Sequence, residues 1–331
     1  MIDDCLEYKF VIIGASGYYE FGYHDVMNHP NVVYHSTYLS GIKSMLNREL
    51  VKLNFSRKIN KWLHYPLSAC VNPILFPHQF STTDKICFLF FESHFMIYYS
   101  NYIQYLRKKF PNCKVVLFLQ DILGTKKEID VNKIKVIFDL IVSYDKGNCD
   151  EYHFLYHPTP MSYMPVAENP SIPVSDVYFC GKAKSRYPLI HKIYRTLTEK
   201  GVKCDFNVIE LPADAEKVEG INYMDSGISY LQNIQHVTKS KCILEIMQEG
   251  ASGYTPRLWE SIVYDRILIT NNQSLETSEF YKNNNMLIIS DEDINSEKLL
   301  HMLKDKVIYS DDDKNRLSPI NLLQFIQTNI R

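Results

Sequence analysis

The residues with the most chemical content lie in one stretch, CILEIMQEGASGYTPRLWESIVYDRILITNN, residues 242–272. An apolar run carrying Glu245 reads as a strand ending near Gln248. Gly250 and Gly253 then flank a short loop, where the missing Cβ lets backbone come close to a ligand. Thr255 suits the N-cap of a helix and Pro256 its first turn. Arg257 and Glu260, three apart, share one face of that helix. Loop amides and a helix N-terminus together suit an anion, and a carboxylate such as Glu260 suits the hydroxyls of a ribose. The plainer reading of Arg257 and Glu260 is a surface ion pair. Gln248, Gly253, Tyr254 and Thr255 complete this set of candidate ligand contacts.

A second candidate is DVYFCGKAKSRYPLIHKIYRTL, residues 176–197. A strand ends at Cys180, Gly181 turns, and Lys182, Lys184 and Arg186 precede a helix. Cationic side chains beside helix N-terminal amides fit a diphosphate; the plainer reading is a solvated basic turn. A third, KFVIIGASGYYEFG, places Gly14, Ser16, Gly17 and Gly22 after the first strand. Its spacing, G-x-x-G-x-x-x-x-G, is not the G-x-G-x-x-G of dinucleotide binders. A strand-end turn without a ligand explains it equally well.

Candidates for a proton acceptor are the polar residues near strand ends in the first half: Glu20, His24, Asp25, Glu92 and Asp121. His24 and Asp25 rank first because they follow the Gly14–Gly22 loop. Asp291 and Asp293 imitate a D-x-D metal motif, but acids ahead of a helix also favour its dipole. His153 and His157 are four apart, with no H-E-x-x-H around them. No metal and no bound cofactor is expected.

These residues need elements to hold them. Short apolar runs alternate with helix-length amphipathic stretches, which predicts parallel strands joined by crossover helices. Strands are expected at Phe10–Ile13, Val32–His35, Ile86–Phe91, Lys114–Leu119 and Leu140–Ser143, with helices near 41–63, 94–109 and 126–138. Residues 157–175 hold five of the chain's 14 prolines, which suits an exposed connection. The alternation then restarts. Strands are expected at Val177–Cys180, Asp205–Ile209, Cys242–Met247, Ile267–Thr270 and Met286–Ile289. Helices fit 186–200, 227–238, 256–264, 275–282, 295–305 and 317–329. The expected architecture is α/β: two Rossmann-like domains, 1–165 and 166–331, facing a cleft. Ligands of such sheets bind beyond the carboxyl ends of the strands.

Composition sets the outer bounds. With 331 residues and 46% hydrophobic content, the chain can bury a core and is not of the disordered class. Lys plus Arg is 36 and Asp plus Glu is 38, a net charge of −2. That lacks the basic excess of a nucleic-acid binder, so no nucleic-acid partner is expected. The eight cysteines are scattered without a C-x-x-C and read as buried thiols in a reducing cytoplasm. The N-terminus does not read as a signal peptide, and no apolar run approaches the ~18–20 residues of a membrane span. Residues 41–63 carry Lys43, Arg48, Lys52, Arg57, Lys58 and Lys61 against one acid, Glu49, interleaved with apolar residues. They read as an ordinary surface helix or as a peripheral contact with the inner face of an anionic membrane.

The order of strand, G-x-[ST]-x-R-x-x-E helix and strand ending in a polar pair resembles the donor domain of GT-B-fold glycosyltransferases. More narrowly, it resembles bacterial enzymes of capsular and lipopolysaccharide glycan assembly. The resemblance covers about 175–290. It implies that Gly181 and Lys182 occupy the place of a strand-end Gly-Arg that grips a sugar nucleotide's diphosphate, with Arg186 as a second charge. It also implies that Glu260 is the second of a glutamate pair, the ribose ligand. The first glutamate of that pair falls on Ser252, a departure from the pattern. The activity implied is transfer of a sugar from a nucleotide sugar to a cell-surface glycan or lipid-linked oligosaccharide. A sugar-nucleotide epimerase and a non-catalytic glycan-assembly subunit are the alternatives.

Overall fold

The computed structural model describes residues 5–14, 17–91, 100–121, 123, 129–213, 215–248, 253–290 and 297–330. The chain forms two compact units, residues 1–162 with 316–331, and 163–315.

The first unit is built on six parallel strands: β1 (Lys9–Ile13), β2 (Val32–His35), β3 (Ile86–Phe91), β4 (Lys114–Leu119), β5 (Leu140–Ser143) and β6 (Leu155–Tyr156). Their order in the sheet is β2-β1-β3-β4-β5-β6. The central strand ICFLFF is buried at every position, as a strand covered on both faces must be. Alternate residues divide between two cores, following the period of two. Val11, Ile13, Phe88, Phe90, Val115 and Leu117 point to one face. Phe10, Ile12, Cys87, Leu89, Val116 and Phe118 point to the other. The second core is closed by the helix Pro319–Asn329, which buries Leu322, Leu323 and Ile326 in it.

That helix corrects the expected boundary. Residues 316–331 pack with the first unit, not with the second to which their place in the chain had assigned them. The amphipathic pattern of the last segment shows that one face must be buried, but not against which sheet.

The second unit repeats the plan with β7 (Ser175–Lys182), β8 (Cys204–Ile209), β9 (Asn222–Met224), β10 (Ser240–Glu245), β11 (Ile267–Thr270) and β12 (Met286–Ile288). The order is β12-β11-β10-β7-β8-β9, and every pairing is parallel. From β7 the chain builds outward to β8 and β9, then returns to the other side of β7 with β10. The strand order therefore reverses between β7 and β10. In the first unit it reverses between β1 and β3. A crevice opens at such a reversal, at the carboxyl ends of the strands, because the flanking connections leave to opposite faces. The Gly14, Gly181 and Glu245 segments all sit at these reversal points.

The segment 275–282, expected as a helix, instead forms a 3-10 turn at Gln273–Thr277. Asn272 Oδ1 binds both the Ser274 amide at 3.2 Å and the Ser274 hydroxyl at 2.6 Å, and the chain leaves extended at Ser278. Among the described residues, no helix is long and apolar enough to cross a membrane.

Candidate functional site

A cavity of about 550 Å³ opens at the β7/β10 reversal of the second unit, within the ~300–1,000 Å³ of small-molecule sites. Its walls come from the end of β7, the segment after β10 and the first turn of the helix Pro256–Val263. Gly181, Lys182, Arg186, Gln248, Thr255, Arg257 and Glu260 all line it. Seven sequence-derived candidates from two separate motifs thus line one cavity. Gly253 and Tyr254 are not among its lining residues. Gly253 sits at φ +110°, open to glycine, with its carbonyl held by Asn272 Nδ2 at 2.8 Å. Tyr254 packs edge-on against Trp259 and Phe280.

Thr255 organises the rim. Its hydroxyl accepts from the Arg257 amide at 3.2 Å, capping the helix, and donates to the buried Glu245 carboxylate. The second Glu245 oxygen accepts from Thr270 Oγ1 at 2.5 Å. Asn271 Oδ1 accepts from the Met247 amide at 2.7 Å. The polar pair after β11 is therefore scaffolding: Asn271 holds the segment after β10, and Asn272 holds the loop at Gly253.

The floor is cationic. A Cβ placed on Gly181 would lie 3.3 Å from Arg257 Nη2 and 3.5 Å from Arg186 Nη2, so two guanidinium groups converge on the bare backbone of this residue. Both are fixed by carbonyls. Arg257 donates to the Cys180 carbonyl, and Arg186 donates to the carbonyls of Ile246 (2.6 Å) and Lys182 (2.5 Å). Among the described residues, neither guanidinium has a carboxylate within ion-pair distance, and Arg186 Nε is buried without a hydrogen-bond partner. Burial, with the neighbouring Arg257 charge adding to it, lowers the pKa of Arg186 from its ordinary value. Two close guanidinium groups that pair with no carboxylate among the described residues make a setting suited to a polyvalent anion. Lys182 is already paired with Glu210 at 2.5 Å, and Lys184 Nζ donates to Gln248 at 3.3 Å.

Glu260 is no surface ion pair. It is buried, and its Oε1 accepts from Tyr230 Oη at 2.8 Å and Asn233 Nδ2 at 3.0 Å. Burial raises its carboxyl pKa, while Arg257 and these two donors act against the shift. Tyr230 and Asn233 also line the cavity. Sequence reading marked only their helix, expected at 227–238, which in the structure opens on a Ser229–Gln232 capping box. Nothing along the chain connects that helix to Glu260.

The first-unit candidates are placed differently. A Cβ on Gly14 would overlap the Tyr34 ring, at 2.4 Å from its hydroxyl, and one on Gly22 would lie 2.8 Å from the Pro160 carbonyl. Gly22 is held to glycine by backbone packing, and Gly14 lies against the end of the Tyr34 side chain. Gly17, at φ +74°, begins the short helix Tyr18–Gly22, and its amide donates to Glu20 at 3.3 Å. His24 and Asp25 sit in a 3-10 turn, His24 Nδ1 lying 3.8 Å from Asp25 Oδ1, too far for a hydrogen bond. Desolvation raises the Asp25 carboxyl pKa, with the Ser162 hydroxyl and His24 opposing. His157 is buried and bridges the Pro158 carbonyl and Asn321, a structural role. Among the described residues, no cluster of three potential ligands for a metal is formed. Ser16, Glu92, Gly250, Ser252, Asp291 and Asp293 lie outside the described residues.

Comparison with solved structures decides the fold. An alpha-glucosyltransferase in complex with UDP-glucose and DNA containing an abasic site matches at a TM-score of 0.56 and 11% identity, over 97% of this chain and 98% of that one. A second alpha-glucosyltransferase structure, with UDP and a 13-mer DNA containing a HMU base, matches at 0.54 and 11%, over the same shares. The fold is that of the GT-B glycosyltransferases. At this identity the GT-B likeness is one of fold. No protein-family model and no curated protein matches the chain. In GT-B terms the cavity lies in the C-terminal of the two parallel-sheet domains, each six-stranded.

Proposed function

We propose that this chain is a glycosyltransferase that takes its sugar from a nucleoside diphosphate donor bound in the β7/β10 cavity. The observation that carries the proposal is the convergence of Arg186 and Arg257 on Gly181 without a carboxylate partner among the described residues. In glycosyl transfer the bond between the anomeric carbon and the diphosphate oxygen breaks as the acceptor oxygen attacks. Negative charge then grows on the leaving diphosphate. Fixed guanidinium groups beside a bare glycine backbone meet that charge without having to reorganise. Their attachment to carbonyls keeps them in place before the donor arrives. Glu260, held by Tyr230 and Asn233, presents an acceptor for ribose hydroxyls. The two similar structures were solved with UDP-glucose and with UDP, which supports a uridine nucleotide as the first donor to test.

The acceptor proton is assigned to the His24–Asp25 pair, the adjacent polar groups after the first unit's reversal-point loop. The proposed acceptor is a cell-surface glycan or lipid-linked oligosaccharide, reached from the cytoplasm. The test is release of nucleoside diphosphate from a panel of nucleotide sugars, with and without such acceptors. Release that rises with acceptor and collapses in Arg186→Ala supports the proposal. Interconversion of the donor sugar with no diphosphate released would identify an epimerase instead.

A further inference from the structure

The segment 41–63 has an outer surface that the protein leaves open. Met45 is 80% exposed, Leu46 70%, Leu63 60% and Trp62 88%. Leu53 is exposed as well, on the same helical face as Met45, eight residues on. Six bases and a single acid share the segment, and Glu49 is taken up by Lys52 at 2.6 Å.

This exposure is built rather than frayed. The helix Met45–Asn54 is anchored from beneath by buried Val51, Asn54 and Phe55. Asn60 Nδ2 donates to the carbonyls of Asn54 (2.6 Å) and Ser56 (3.0 Å), and Asn60 Oδ1 accepts from the Tyr65 amide at 2.7 Å. Asn54 Oδ1 accepts from the Leu67 amide at 3.0 Å. Tyr65 is held at φ 44° and packs edge-on against Phe55. This clip fixes the turn that carries Trp62 and Leu63 outward.

We infer that residues 41–63 dock the protein onto an anionic lipid surface, with Trp62, Leu63, Met45 and Leu46 entering the interface and the lysines and arginines meeting the headgroups. Fixed aliphatic side chains and a tryptophan among bases match an interface that is apolar below and negatively charged above. A nucleic-acid surface would use the bases but would leave Met45, Leu46 and Leu63 in water. The inference stands apart from the donor cavity, and either can fail without the other.

The test is flotation of the full chain with vesicles of phosphatidylcholine alone and of phosphatidylcholine mixed with phosphatidylglycerol. Binding is expected only to the anionic vesicles, and it should weaken with added salt. The protein has two tryptophans, and Trp259 is buried at 2% exposure. A blue shift on vesicle binding therefore reports Trp62. Trp62→Ala with Leu63→Ala should weaken binding about tenfold or more, since each side chain loses its burial in lipid. Lys58→Glu with Lys61→Glu should weaken it too. Both pairs face solvent, and an unchanged melting curve confirms an intact fold. Four results would overturn the inference. One is no flotation and no spectral shift; another is equal binding to neutral vesicles. The others are duplex DNA binding that needs the lysines but not Trp62, and a dimer that dissolves in the Trp62→Ala variant.

Discussion

Gly181→Ala separates the fold from the site with a single methyl group. The added carbon would lie 3.2 Å from Phe179 Cζ, 3.3 Å from Arg257 Nη2 and 3.5 Å from Arg186 Nη2. It projects into the place that the proposed diphosphate would take beside both guanidinium groups. Gly181 pairs with Val208 inside a strand, where alanine is favoured over glycine by about 0.5–1 kcal/mol. The buried Phe179 ring must give by a few tenths of an ångström, which offsets that gain. Stability without ligand should therefore stay within about 1 kcal/mol of wild type. Binding should not. Loss of one charge-assisted hydrogen bond costs about 1.5–3 kcal/mol, or roughly 10- to 150-fold in Kd. The assay is titration calorimetry with nucleoside diphosphates, beginning with UDP, beside thermal melts of the free protein. A variant that binds within twofold of wild type would show that the diphosphate does not lie over Gly181.

Three further expectations follow from the same geometry. Glu260 has a raised carboxyl pKa, so its burial penalty is absent below its unfolded value of 4.5, grows as pH rises from there to the folded value, and is complete above it. Glu260→Gln, which keeps an oxygen for Tyr230 and Asn233, should be more stable than wild type at neutral pH, match it below 4.5, and bind nucleotide less well; urea melts across pH check this. Thr255→Val removes the cap on Arg257 and one partner of buried Glu245, and should cost about 2–4 kcal/mol, read as a lower urea midpoint. Deleting 316–331 strips Leu322, Leu323, Ile326 and Ile330 from the first unit's core. At about 1.5–3 kcal/mol per side chain against a total of about 5–15, that unit should lose its cooperative melt.

Strands were legible where both faces are buried. ICFLFF is apolar throughout and KVVLFL is apolar after its first lysine, and their ends agree with the structure. Two of the four edge strands, Val32–His35 and Met286–Ile288, were legible as well, but the other two were not: Asn222–Met224 and Leu155–Tyr156 are short and only partly buried, so neither carries an apolar run. The expected helix across 41–63 breaks after Asn54, whose side chain binds across the turn to Leu67. The glycines divided in a way that spacing could not show. Gly14 and Gly22 serve neighbours in their own unit, while Gly181 faces the two guanidinium groups. The Arg257–Glu260 spacing marked a helix that lines the cavity, but an ion pair was its plainer reading. Only the structure shows Glu260 buried under Tyr230 and Asn233, and Arg186, from a motif 71 positions away, beside Arg257.

The measurement that reaches the central claim most directly is a comparison of UDP, UMP and uridine binding to the wild-type protein and to Arg257→Ala. If Arg186 and Arg257 hold a diphosphate, UDP should bind at least about tenfold more tightly than UMP, and Arg257→Ala should erase most of that difference. Equal affinities for UDP and UMP, or a preference for UDP that survives Arg257→Ala, would contradict it.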